Sequence, residues 1–168
     1  MNKQSIQNWI LESFTAQLSE LAALTIRADG TMKNGAAIRQ SAWSQNATGS
    51  IQLLTKALDR TVSHLSRGTN HDMKFVAFVG GENLRNVSGH FHALLQFPAN
   101  TDKQIFLNRF EYLWSIKASD ALKTTLKTSV FAEPIKNREA FSAYCLRYEG
   151  TTFGGGSEKV VMSRSLKL

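Results

Sequence analysis

The 168-residue sequence predicts an α+β fold, an antiparallel sheet packed by amphipathic helices. Two β-rich runs, residues 74–82 (KFVAFVGGE) and 90–97 (HFHALLQF), are separated by only seven turn-forming residues, 83–89. That gap is too short for a parallel crossover, so the two runs must form an antiparallel hairpin. Around them, stretches with apolar residues at helical spacing alternate with further strand-like runs.

In chain order, residues 5–18 predict a helix whose apolar stripe is Ile6, Trp9, Ile10, Leu11, Phe14 and Leu18, so that residues 1–19 form an N-terminal helix. Residues 21–27 (LAALTIR) predict a strand, ended by the turn formers Asp29 and Gly30. Residues 36–65 are broadly helical, with Asn46 and Gly49 as points of division. After the hairpin, residues 104–117 predict a helix with Ile105, Phe106, Phe110, Leu113 and Trp114 as its buried face. Residues 128–135 predict a strand closed by Pro134, and residues 138–148 a short helix. The tail, residues 150–168, contains a Gly154-Gly155-Gly156 joint and a last strand at 160–163. Strand, long helix, two strands, helix, strand, helix describes a ferredoxin-like or RRM-like sandwich, a central antiparallel sheet with the helices on one face. The whole chain, 1–168, is expected to form a single domain.

Composition narrows the classes. An apolar fraction of 42% with 20% charged residues suits a globular core and excludes disorder. One cysteine, Cys145, excludes an intrachain disulfide and fits a reducing compartment. No apolar run approaches the ~18 residues a membrane span needs. Gln4, Gln7, Asn8 and Glu12 interrupt the N-terminal stretch where a signal peptide would be apolar, so a cytoplasmic location is expected. The net charge of +7 points towards a polyanion. Its carriers, among them Arg27, Lys56, Arg60, Lys117, Lys127 and Arg147, are spread along the chain and predict a folded basic surface.

The hairpin carries the chemistry. Side chains alternate along a strand, so His90 and His92 share a face with Leu94 and Gln96. Phe91, Ala93, Leu95 and Phe97 make an apolar opposite face that suits the helices, which predicts that the histidines occupy the face the core does not need. Two imidazoles one strand residue apart can share a metal ion, and Glu82, ending the preceding strand, is expected beside His90. Two histidines and a carboxylate suit a divalent first-row ion, and the carboxylate favours Mn²⁺ or Mg²⁺. Gln96 is a candidate contact to ion or substrate, set against a packing amide. His64 and His71 have no such company and read as surface residues.

Tyr144 and Arg147 stand three residues apart on the last helix and share its side. A phenol with pKa near ~10 needs a cation or metal nearby to become a nucleophile. Tyr144 and Tyr148 also suit simple helix packing, and both readings stand at this point.

Taken together these features resemble the HUH endonuclease superfamily, specifically the nuclease domain of rolling-circle replication initiators of plasmids, phages and small single-stranded DNA viruses. Leu24-Thr25-Ile26-Arg27 resembles the first motif, His90-Phe91-His92-Ala93-Leu94-Leu95-Gln96 the His-hydrophobe-His motif, and Tyr144-Cys145-Leu146-Arg147 the Tyr-x-x-Lys motif with arginine for lysine. The resemblance implies that Glu82, His90 and His92 hold a divalent ion and that Tyr144 is the nucleophile, with Tyr148 as the alternative. It implies site-specific nicking and joining of single-stranded DNA or an origin hairpin through a 5′-phosphotyrosine, with a host replication helicase as a further partner. Arg147 keeps the positive charge of the usual lysine but not its titratable ammonium, which suits phosphate positioning and not proton transfer. Trp43 is a candidate aromatic for base stacking, set against burial. The stretch Gly154-Gly155-Gly156-Ser157-Glu158-Lys159 lacks the form of a phosphate-binding loop, so no ATPase is expected in this chain, a short initiator or a nuclease domain of a longer one.

Two other readings use the same residues. A cupin-like metal enzyme also uses His-x-His, but needs a later histidine and many short strands, and no histidine follows His92. A non-catalytic single-stranded nucleic-acid-binding module on the same sheet would use exposed aromatics in place of the histidines.

Overall fold

The first helix, α1, spans Lys3–Ser13, and a single 3-10 turn at Leu18–Glu20 leads into strand β1, Leu21–Asp29. The computed structural model describes residues 3–29, 48–69, 72–80, 90–123, 125–144 and 160–166. Helix α2 covers Thr48–Arg67, followed by β2 at Lys74–Gly80 and β3 at His90–Gln96. Helix α3 is Lys103–Leu122, β4 is Lys127–Pro134, α4 is Arg138–Tyr144 and β5 is Val160–Met162. The expected helical reading of residues 36–47 lies outside the described residues.

Five strands form one sheet in the order β4-β1-β3-β2-β5, and every neighbouring pair is antiparallel. The α+β class and the β2–β3 hairpin are therefore as the sequence predicts. β3 takes the centre, and six of its seven residues are buried, the two histidines among them. β4 is an edge strand, and its alternating half-buried and exposed residues show it.

The two long helices lie on one face. From α2, Leu54, Leu58, Val62 and Leu65 recur at helical spacing, as do Phe106, Phe110, Trp114 and Ala118 from α3. They close on Leu24 and Ile26 of β1, Phe75 and Ala77 of β2, and Phe91, Ala93 and Leu95 of β3. Burying each such large side chain contributes about 1.5–3 kcal/mol before the entropy of ordering is subtracted. Ile105, expected in the buried face of α3, is 68% exposed. It precedes Phe106 and so falls outside the stripe that starts there. Asp102 caps α3 by accepting a hydrogen bond from the Ile105 amide at 2.9 Å, and Lys123 ends it in a left-handed conformation at φ 52°.

The other face also has a partial cover. Ile6 and Ile10 of α1, Phe14 just after it and Phe141 of α4 pack on Val76, Phe78 and Leu94. Phe14 and Phe141 meet edge to face, their ring centroids 5.2 Å apart. Arg138, the first residue of α4, donates to the carbonyls of Phe14, Thr15 and Ala16, which fastens α4 to the segment after α1. Lys74 adds a bond from Nζ to the Ser13 carbonyl at 2.6 Å. α2 and α3 thus keep the predicted one-face arrangement, and α1 and α4 form a smaller layer behind it. Among the described residues, no helix is long and apolar enough to cross a membrane.

Candidate metal centre

His90 and His92 stand at the start of the central strand, and pleating turns both to the face that carries α1 and α4. Their Nε2 atoms are 2.7 Å apart, and their rings meet edge to face with centroids at 4.4 Å. A contact this short joins one N–H donor to one bare ring nitrogen. Both histidines are 7% exposed. This corrects the expectation that their face is free of core packing. Leu94, two residues on, is fully buried beneath the second apolar cluster. The physical reason is α1, whose apolar stripe needs a partner and finds it at this end of the sheet.

Register shows what surrounds the imidazoles. His92 pairs with Thr25 on β1 and Phe78 on β2, while His90 pairs with Arg27 and Gly80. The position opposite His90 is therefore Gly80, not Glu82, which corrects the expected cross-strand partner. Glu82, two residues further, lies outside the described residues. Among the described residues no group of three histidine, cysteine or acidic side chains assembles. The segment Leu24-Thr25-Ile26-Arg27 runs beside the histidine strand, with Thr25 and Arg27 on the histidine face and Leu24 and Ile26 in the main core. Gln96 shares the histidine face at the far end of β3, half-buried, and its Oε1 is buried with no hydrogen-bond partner among the described residues.

The two imidazoles fit a divalent ion as neighbouring ligands. Nitrogens bound at about 2.0–2.1 Å and subtending an angle near a right angle are separated by ~3 Å, so the rings need to part by only a few tenths of an ångström. Two converging nitrogens are supplied by the described residues.

Tyr144 is the last residue of α4, the helix that packs on the histidine face through Phe141. Arg147 and Tyr148 lie outside the described residues, as do Trp43, His71 and Cys145. His64 is exposed on α2, in keeping with its reading as a surface residue. Sequence reasoning missed Phe131 of β4, which pairs with Thr25 and is 60% exposed. It points to the same side as His92, because directly paired residues share a face.

No known protein family, curated protein or solved structure matches this chain.

Proposed function

We propose that this protein is a metal-assisted endonuclease of the HUH type, which nicks and rejoins single-stranded DNA to initiate rolling-circle replication or transfer. The observation that carries the reading is the meeting of the His90 and His92 Nε2 atoms on the central strand, on the sheet face against which the Tyr144-bearing helix packs. The flanking of that pair by Thr25 and Arg27 adds weight, because a polar and a cationic residue beside the imidazoles suit a phosphate.

His90, His92 and Glu82 would hold the ion, Mn²⁺ or Mg²⁺. When bound, it supplies Lewis-acid polarisation of a phosphoryl oxygen. The remaining work belongs to the chain. The phenol oxygen of Tyr144 attacks phosphorus in line, losing its proton to solvent. The bond from phosphorus to the 3′-oxygen breaks, and the departing oxygen takes up a proton, leaving a 3′-hydroxyl and a 5′-phosphotyrosine. Attack by a 3′-hydroxyl on that link reverses the step and joins a strand. The Arg147 guanidinium positions the phosphate and offsets the charge that builds on it. The substrate is single-stranded DNA or an extruded origin hairpin, met in the cytoplasm, where a host replication helicase is the expected co-worker.

The test is capture. With Mn²⁺ and a pool of random single-stranded oligonucleotides, the protein should form an adduct that survives a denaturing gel, and Tyr144→Phe should form none. One observation favours a second reading: the exposed Phe131 suits a non-catalytic single-strand binder. That reading predicts retention of the oligonucleotides without an adduct.

A further inference from the structure

An aromatic ring left largely in water on a sheet face needs a reason. Phe131 is 60% exposed, while Val130 and Ala132 on either side of it turn into the main core. It does not stand alone. Across the sheet, Phe131, Thr25, His92 and Phe78 form one row, and Ser129, Arg27, His90 and Gly80 form the next. Arg27 is exposed as well. An exposed apolar ring, an exposed cation and two buried imidazoles therefore occupy adjacent positions of one sheet face. Phe131 and His92 are two strand spacings apart, roughly 9–10 Å. That is about the span from one phosphate of a single strand to the base of a neighbouring nucleotide.

We propose that Phe131 is a stacking platform for a nucleobase of single-stranded DNA, with Arg27 holding the backbone between that base and the histidines. The proposal deepens the endonuclease reading by giving its substrate a path across β4 and β1, and it rests on that reading for the position of the scissile phosphate. A flat apolar ring receives any base, since every base has a π-face. A duplex is excluded, because its bases are already stacked on each other. Thr25, half-buried, stands between the ring and His92 in that row. Arg27 supplies charge that no base sequence alters, so it contributes affinity and salt dependence.

Binding is measured in the presence of a chelator, where no cleavage occurs, so its outcome is separate from that of adduct formation. The probes are fluorescein-labelled oligo(dT) and an abasic deoxyribose-phosphate strand of equal length. Phe131→Ala should weaken oligo(dT) binding roughly 5- to 150-fold, the range for loss of one base–aromatic stack, and leave the abasic strand unaffected. Phe131→Trp should restore oligo(dT) binding. Arg27→Ala should weaken both strands and lower the salt slope by about one ion. Unchanged oligo(dT) binding by Phe131→Ala overturns the proposal. Equal loss of both strands by that variant also overturns it, since it would show a disturbed sheet and not a lost stack. If these binding results hold and no adduct forms with Mn²⁺, the platform stands and the endonuclease reading fails.

Discussion

His90 and His92 touch nitrogen to nitrogen, 2.7 Å between their Nε2 atoms, on the one strand of the sheet that has two neighbours on either side. Backbone pairing on both edges fixes that strand, so the two rings are brought together before any ion arrives. An ion that binds the folded chain alone stabilises it by about 2.7 kcal/mol at a hundredfold excess over its Kd. For a chain of this size, Mn²⁺ should raise Tm by about 5–11 °C. His90→Ala and His92→Ala should each lose that increment, judged against the same variant without metal. An increment that survives both changes would place the ion elsewhere.

In the proposed endonuclease reading, Arg147 takes the place of a lysine. If its role is to hold a phosphate and not to move a proton, Arg147→Lys should nick at a comparable rate. Arg147→Ala should be slower by about 10²-fold, the scale for removing one group that stabilises developing charge. Single-turnover nicking rates read both. An inactive Arg147→Lys would show that the guanidinium fork itself is needed.

Trp114 joins the main core to the strand beside the histidines. Its indole is buried, and Nε1 donates to the Arg27 carbonyl at 2.8 Å. Trp114→Phe removes that bond and part of the ring volume, a loss of about 1–3 kcal/mol. Urea unfolding should show a lower midpoint at unchanged slope. A midpoint equal to that of the parent would mean the bond carries no net stability.

Arg138 fastens α4 through the carbonyls of Phe14, Thr15 and Ala16. Arg138→Met leaves these carbonyls without their charged donor and should cost about 1.5–3 kcal/mol. Because α4 ends at Tyr144, nicking should fall more steeply than the folded fraction does at the assay temperature. Activity that tracks the folded fraction alone would separate this anchor from the reaction.

Much of this arrangement is legible in the sequence because it follows from local periodicity. The alternation His90, His92, Leu94, Gln96 against Phe91, Ala93, Leu95 assigns the two faces of β3, and the short link to β2 gives the hairpin. What it does not give is which surface each apolar stripe covers. Ile6, Ile10 and Phe14 are visible as a stripe, but their landing on Val76, Phe78 and Leu94 is a long-range choice. A signal was present: Phe75, Val76, Ala77 and Phe78 are apolar in succession, the pattern of a strand buried on both faces. Register failed by two residues at Glu82, since Gly80 holds the position opposite His90. Phe131 went unread because the strand over 128–135 was not divided into faces, and the smaller Val130 and Ala132 occupy the core side of β4.

The most direct measurement is the chemical identity of the residue joined to DNA. After incubation with Mn²⁺ and single-stranded oligonucleotides, nuclease digestion of the DNA and mass spectrometry of proteolytic peptides should find a nucleotide attached through phosphate to Tyr144, in wild type and in Tyr148→Phe alike. A nucleotide on Tyr148, or peptides that carry none while DNA is cut, would contradict the account.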